Sequence, residues 1–492
     1  MKEYTLFAKR IGLVGFTQTI VSLRGLITLP ILTKSLGVTG YGILAQILVT
    51  ISLLMPFILL GLGASLVRFL PSKNNKEIVQ GIFTALSAVL LSGIFFSLML
   101  FFSSSFMADI LIKDASAIPV IQIASVLIII QSMEMIAANS YRIFGQIKRY
   151  SIVTISKTLI EICLIAFFVL SGYGVFGVIL ALIITEFVFL LITLFLIVSY
   201  AGFAFPNLSL LRPYLAFGLP LIPLGISETV VSSCDRYVIG FFMGASSVGI
   251  YSAAYNLGII AFMVGPFIIF ILSPTLANLY DKGKMDAVKN HLAYSLKYYL
   301  MLSIPSAFGL SILARPLLSI LTTQEFVLGG MDIYIIPLVA SGIIFYGVYA
   351  IFGEVLKLSK QTKIFAIVMA IAGITNLGLN IIVVPYWGIL GAAATTLTSY
   401  MLAAIIIYYK SCKFIKFDIK FNFIIKSIFS SCTMTLIIWM LKPADILTVL
   451  LSIGIGIIIY FFILFILKGF TKQELKTIAY AIGLGRIYEK IL

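Results

Sequence analysis

The chain has 492 residues, of which 61% are hydrophobic and only 11% charged, with a formal net charge of +16. Charged residues make up about 25% of a soluble domain, so an ordinary water-soluble globule is excluded. The basic excess does not form the patch interleaved with aromatic residues that a phosphate backbone needs, so nucleic acid is excluded as a partner.

A bilayer crossing takes about 20 consecutive apolar residues. In chain order the apolar windows fall at roughly 11–33, 42–66, 79–102, 118–139, 151–170, 175–199, 214–240, 247–272, 293–313, 332–353, 364–384, 389–409, 422–441 and 445–467. The expected fold is therefore an all-α integral membrane protein of about 14 transmembrane helices, with no room between them for a separate soluble domain. The distribution of Lys and Arg orients it. With a cytoplasmic N-terminus, the tail, the N-terminus and the loops after even-numbered spans hold about 25 of the 34. The loops after odd-numbered spans hold about four, Lys34, Lys113, Arg315 and Lys442. The positive-inside rule then predicts an N-in/C-in protein. Arg24 interrupts the first apolar run and no small-residue cleavage site follows, so that run reads as a first span rather than a removable signal.

Two motifs occur twice. LGVTGYG at 36–42 returns as MGASSVG at 243–249, matching Gly37 with Gly244 and Gly42 with Gly249 at an offset of 207 residues. Gly174 and Gly177 return as Gly388 and Gly391 at an offset of 214. The spacing describes one duplicated unit of six spans, and an even number leaves both units facing the same way, as in many transporters. The expected organisation is an N-terminal six-helix lobe at 1–200, a parallel C-terminal lobe at 210–410, an additional helix pair at 422–467 and a basic cytoplasmic tail at 468–492. The tail's isoleucines alternate with Lys and Arg, as in a helix resting on anionic headgroups. Gly218–Pro223, where Gly218, Pro220, Pro223 and the nearby Gly225 open span seven, is a candidate hinge between the halves.

Ionisable groups inside spans cost at least about 2.5–3.5 kcal/mol each at mid-bilayer, so each needs a reason. Arg24, near the middle of span one, cannot shed its proton and must meet water or an anion. Its candidate partners are an anionic substrate or a carboxylate among Glu134, Glu161, Glu186 and Glu228. In span seven, Glu228 and Asp235 lie two turns apart on one face. Asp235 and the adjacent Arg236 point about 100° apart and are not expected to pair. Glu134 and Glu186 are lone carboxylates, either proton-coupling groups or buried neutral acids. Lys157 and Glu161 are expected to neutralise each other as an i,i+4 pair. Lys297 and Lys426 can snorkel to a cytoplasmic surface. Asn376 and Asn380 share a face of span eleven, and span twelve offers Thr395 and Thr396. These oxygens suit either Na⁺, with charge from Asp235, or plain interhelical hydrogen bonding. The four cysteines show no metal spacing, and a single histidine, His291, supports neither a metal cluster nor a catalytic dyad.

LGVTGYG at 36–42, DRYVIGFFMGASSVGIYSAAYNLG at 235–258 and NLGLNIIVVPYWGILGAAATT at 376–396, in this order on fourteen spans, resemble a polysaccharide-lipid flippase of the Wzx type. That family lies in the multidrug/oligosaccharidyl-lipid/polysaccharide exporter superfamily. The resemblance implies movement of an undecaprenyl-diphosphate-linked oligosaccharide, for O-antigen, capsule or a related polysaccharide, from the cytoplasmic to the outer leaflet of a bacterial inner membrane. It implies rocking lobes around a cationic cleft, and a polysaccharide polymerase and chain-length regulator as partners beside the lipid-linked oligosaccharide and the membrane lipids. Arg24, Arg236 and Glu228 are then the candidate substrate-binding residues. No catalytic residue or cofactor is expected, and coupling to Na⁺ or H⁺ is the candidate driving force. Related peptidoglycan-precursor flippases join an Asp of span seven, two residues of span eleven and a Thr of span twelve around Na⁺. The matching positions are Asp235, Asn376, Asn380 and Thr396, with Asn380 where that relative has a second acid.

A peptidoglycan lipid-precursor flippase and a drug or metabolite antiporter are the alternatives within the superfamily. A membrane enzyme acting on lipid-linked sugar is the alternative outside it. Such enzymes usually need a large outer loop bearing catalytic carboxylates or arginines, and the outer loops here are short and nearly chargeless.

Overall fold

The computed structural model describes residues 2–327, 329–471 and 474, with side chains from residue 13 onward. Most of the expected basic tail, 468–492, lies outside the described residues. No strand occurs among the described residues. A spanning segment in lipid must satisfy its own backbone groups, and a helix does so without a partner.

The first half comprises α1 (Lys2–Leu59), α2 (Leu62–Phe69), α3 (Asn75–Phe102), the single turn α4 (Ser104–Phe106), α5 (Ala117–Ile143), α6 (Ile147–Leu170) and α7 (Gly174–Ala201). The second comprises α8 (Leu211–Gly218), α9 (Ile222–Met243), α10 (Ala245–Gly258), α11 (Gly265–Asp281), α12 (Met285–Ile312), α13 (Ala314–Leu321), α14 (Ile335–Leu358) and α15 (Thr362–Ser411). Then come α16 (Phe421–Leu441) and α17 (Ile446–Ile466). Among the described residues, eleven helical segments are long and apolar enough to cross a bilayer, and α12 with α13, bent by 70°, makes a twelfth. Two segments, Leu13–Leu59 and Thr362–Ser411, have 47 and 50 residues. A single crossing needs about 20 residues, so each has the length of two. They break at Gly37 (φ 66°) and Gly388 (φ 57°), between the windows expected for spans one and two and for eleven and twelve. Large apolar side chains such as Leu91, Phe195 and Ile458 stand exposed on the bundle surface, where lipid solvates them.

The repeated motifs have a structural reason. Gly37 and its counterpart Gly244 share one unusual conformation, φ 66°, ψ −177° and φ 81°, ψ 176°. Only glycine adopts it without strain, and it turns one helix into the next with no intervening loop. The two copies then meet each other. Thr39 Oγ1 lies 2.8 Å from Ser246 Oγ, its own counterpart 207 residues on. A Cβ on Gly42 would strike the Ala245 carbonyl, and one on Gly249 would strike the Val38 carbonyl. The duplicated sequence thus forms a self-paired clasp between α1 and α10. A second close approach closes the other end of that segment: a Cβ on Gly218 would meet the Leu60 carbonyl, and Ser65 Oγ donates to the Tyr214 carbonyl at 2.7 Å. The candidate hinge begins there, where α8 gives way to a 3₁₀ turn, Leu219–Leu221, before α9.

Gly42→Val should force the first clasp apart, because the obstacle is a backbone carbonyl rather than a side chain that can swing away. Overpacking of this kind costs about 1–3 kcal/mol or more. With cysteines at Thr39 and Ser246, oxidation should crosslink the parent protein readily and the Gly42→Val variant poorly. Equal crosslinking would show that the contact does not depend on the glycine.

Outside the spans, Asp445 caps α17, accepting from the Thr448 hydroxyl at 2.6 Å and the Leu447 amide at 3.2 Å. The Thr448 hydroxyl, aided by the helix amides, holds its carboxyl below the usual carboxylate range. A depressed carboxylate stabilises the fold above its unfolded value of about 4, and that support disappears as pH falls through the folded value. Asp445→Asn, which keeps an oxygen for the cap, should flatten the acid limb of the melting-temperature profile. An unchanged limb would remove Asp445 from the acid response.

Candidate functional site

A cavity of about 610 Å³ lies between the halves, lined by α1, α5, α6, α7, α9, α10 and α11. Most of its wall is apolar, broken by hydroxyl residues and by the charged or amide side chains of Arg24, Glu161, Glu186, Arg236, Gln131 and Asn256. An apolar cleft with a few convergent charges is the usual form of a binding site.

Arg24 projects from the first segment of α1 with its side chain 44% exposed, and its Nη1 lies 2.7 Å from both oxygens of Glu161, whose side chain is 6% exposed. Glu161 is therefore taken by Arg24, which corrects the expected Lys157–Glu161 pair. Lys157 instead reaches sideways to Glu134 of α5 at 3.0 Å and Glu186 of α7 at 2.7 Å. Neighbouring helices bring those carboxylates closer than a residue one turn along the same helix. Glu134 and Glu186 are consequently not lone acids; they share one ammonium. Taken together, these two groups set three carboxylates against two cations, so full ionisation leaves one acid in excess.

In α9, Arg236 folds back on its neighbour: Nη1 sits 3.1 Å from Asp235 Oδ1 and 2.9 Å from the Ser232 carbonyl, with the guanidinium 4.4 Å from the Tyr255 ring centroid. The expectation that Asp235 and Arg236 do not pair is corrected. The Cα–Cβ vectors diverge, but an Arg side chain is long enough to return across that angle. Tyr251 donates a short hydrogen bond to the other Asp235 oxygen. Arg236 is buried apart from the edge that lines the cavity, so Arg24 is the more available cation.

Glu228 is not among the residues that line the cavity. Glu228, six residues into α9, therefore does not share this cavity with Arg24 and Arg236. Lys357 of α14 pairs with the buried Glu354 at 2.8 Å.

Asn376, Asn380 and Thr396 do come together, all fully buried. Asn380 Nδ2 donates to Asn376 Oδ1 at 3.1 Å, Asn376 Nδ2 lies 3.5 Å from Thr396 Oγ1, and Cys234 Sγ donates to Asn376 Oδ1 at 3.1 Å. Asp235 does not complete the group, because Arg236 and Tyr251 hold its two oxygens. Within this group, Asn380 Oδ1 is the one buried oxygen without a hydrogen-bond partner among the described residues. One free amide oxygen and no free carboxylate do not fit a Na⁺ cage of hard oxygens. Thr395 bonds the Ala392 carbonyl within its own helix.

Sequence reasoning missed Lys157 as the bridge, Tyr251 and Tyr255 as the walls around Arg236, and the Glu354–Lys357 pair. The two tyrosines, four residues apart in the 235–258 stretch, carried a signal of a shared helical face. Gln131 and Asn256 could also have been found, as amides in apolar windows; Asn256 donates to Tyr41 across the two halves at 2.8 Å.

A family model described as "Polysaccharide biosynthesis protein" matches residues 31–328. A probable low-salt glycan biosynthesis flippase, Agl15 of Haloferax volcanii, is 25% identical over 186 residues, covering 36% of this chain and 39% of that protein. A probable flippase, AglR of the same organism, is 25% identical over 172 residues, 35% of this chain and 36% of that protein. The chain thus spans under two fifths of the length of these curated relatives. Its fold is similar to that of the lipid II flippase MurJ in an inward closed conformation, with a TM-score of 0.77 and 16% identity over 94% of this chain and 99% of that one. It is also similar to an inward-facing multidrug resistance MATE transporter of the MOP superfamily, with a TM-score of 0.68 and 15% identity over 80% and 94% of the two chains.

Proposed function

The chain belongs to the polysaccharide biosynthesis protein family, and from that premise we propose that it is a flippase for a lipid-linked glycan in the bacterial cell membrane. The cargo is an undecaprenyl-diphosphate-linked oligosaccharide, carried from the cytoplasmic to the outer leaflet across fourteen passes with both termini cytoplasmic. The observation that carries this reading is a cavity between two clasped halves into which a half-exposed Arg24 projects. Only its Nη1 is engaged by protein among the described residues, so a fork of donors faces the space where a diphosphate would sit. Guanidinium–phosphate pairs are among the stronger hydrogen-bonded contacts because both partners are charged. The chain acts as a transporter without catalytic chemistry of its own, upstream of a polymerase and chain-length regulator.

For coupling we favour H⁺ over Na⁺. The excess acid around Lys157 offers a place for a proton, in the Glu134/Glu186 pair, whereas the Asn376–Asn380–Thr396 group lacks a free carboxylate.

Reconstitution into liposomes tests the proposal, with a fluorescent undecaprenyl-diphosphate oligosaccharide whose leaflet is read by a membrane-impermeant quencher. Translocation should exceed that of protein-free liposomes and respond to an imposed pH gradient but not to a Na⁺ gradient. Rates no faster than protein-free liposomes would sink the reading. Faster movement of a peptidoglycan lipid precursor in the same assay would favour the alternative that the MurJ-like fold suggests.

A further inference from the structure

We propose that a lysine-lined socket beside the N-terminus of α16 binds the phosphate of an anionic lipid headgroup. The proposal does not rest on the transport reading. The socket lies between α12, the connector 413–420 and the segment that follows α17, at the end of the bundle that the basic bias assigns to the cytoplasm. It is a cavity of about 420 Å³ lined by Lys297, Lys420, Lys426 and Lys468. An adjoining cavity of about 430 Å³ shares Lys420 and adds Lys289 and Lys416. Asp418 is the acid common to both linings.

The cations are poorly neutralised. Lys297 is paired with Glu474 at 2.7 Å, and Lys289 makes a loose contact with Asp286 at 3.8 Å. Among the described residues Lys416, Lys420, Lys426 and Lys468 form no ion pair. Lys420 rests on the Tyr294 ring at 4.5 Å, and Lys426 donates to the Lys468 carbonyl at 3.1 Å. The 21-residue helix α16 begins in this socket with no side-chain cap, so its first amides and dipole add to the positive field.

Two further observations identify the ligand. The chain already seats an oxyanion next to the cavity: the Glu474 carboxylate accepts from Lys297, from the Tyr298 hydroxyl at 3.0 Å, and from the Thr471 amide and hydroxyl at 2.7 and 2.9 Å. The rim is apolar and exposed, with Phe421 at 65% and Ile425 at 66%. Aromatic residues beside lysines mark headgroup depth. An anionic phospholipid would place its phosphate among the lysines and its acyl chains along Phe421 and Ile425. Free phosphate offers the same oxyanion but nothing for that rim.

The full chain in nanodiscs of equal phosphatidylglycerol and phosphatidylcholine, released for native mass spectrometry, tests this. Wild type should retain phosphatidylglycerol in preference. Each Lys near a membrane surface contributes about 1 kcal/mol, so Lys420→Gln/Lys426→Gln/Lys468→Gln should weaken retention on the order of 100-fold. A control on the same membrane face, Lys73→Gln/Lys76→Gln/Lys148→Gln, should retain it like wild type. If the triple variant is poorly folded, Lys420→Gln alone should still cost about fivefold. Retention unchanged in the socket variants, equal loss in the control, or displacement of the lipid by millimolar inorganic phosphate would each overturn the proposal.

Discussion

Arg24→Ala should reduce glycan-lipid translocation by about 100-fold or more while leaving protein in the membrane. A hydrogen bond to a charged group contributes about 1.5–3 kcal/mol, and a guanidinium fork makes more than one to a diphosphate. The substitution also strips the buried Glu161 of its cation, and leaving a buried charged group unsatisfied costs about 1–3 kcal/mol or more. A stability defect could therefore imitate a transport defect. The double variant Arg24→Ala/Glu161→Gln separates them, because it removes the stranded charge without returning the donors. It should recover thermal stability and still fail to translocate. Arg24→Lys keeps the charge but loses the planar fork, so partial activity is expected. Translocation restored in the double variant would mean that Arg24 serves only to neutralise Glu161.

Lys157→Met should be the most destabilising single change in the first half. It removes the one ammonium that Glu134 and Glu186 share, and both acids are largely buried. The expected loss is about 3–5 kcal/mol at neutral pH. The deficit should shrink as pH is lowered, since a protonated carboxyl carries no charge to desolvate. Lys157→Met/Glu134→Gln/Glu186→Gln should recover most of the stability and lose the response of transport to a pH gradient. Thermal melting in detergent across a pH series reads the first effect and the liposome assay the second. A single variant as stable as wild type at all pH values would show that the three groups do not act as a unit.

The two predictions concern side chains that the sequence picked out, for reasons the sequence only half supplied. A charge in an apolar run is visible because it is costly, so Arg24, Glu134, Lys157, Glu161, Glu186, Asp235 and Arg236 all stood out. Their pairing was not visible. The i,i+4 rule offered Lys157 to Glu161, and the 100° step between adjacent residues kept Asp235 from Arg236, ignoring the reach of a long Arg side chain; both failed. Helix periodicity counts neighbours along one helix, while a bundle presents others at the same distance from the side. Asn376, Asn380 and Thr396 show the opposite case: spacing put the two asparagines on one face, the resemblance added Thr396, and the three do meet. Their missing companion, Asp235, is one residue from Cys234, which does reach Asn376, and that single step around a helix turns the carboxylate toward Tyr251.

By itself the sequence determined the solvent, the helical class and the duplication. These depend on composition, apolar run length and recurring glycines, all properties of a linear string, and the backbone's need to satisfy itself in lipid leaves helices as the form such runs take. Tertiary structure alone decided that the two copies of the repeat touch each other at Gly42 and Gly249, that one lysine serves two acids, and that Arg24 and Arg236 look into one cavity. Each of these brings together residues from 23 to more than 200 positions apart, fixed by how helices pack rather than by where residues fall along them.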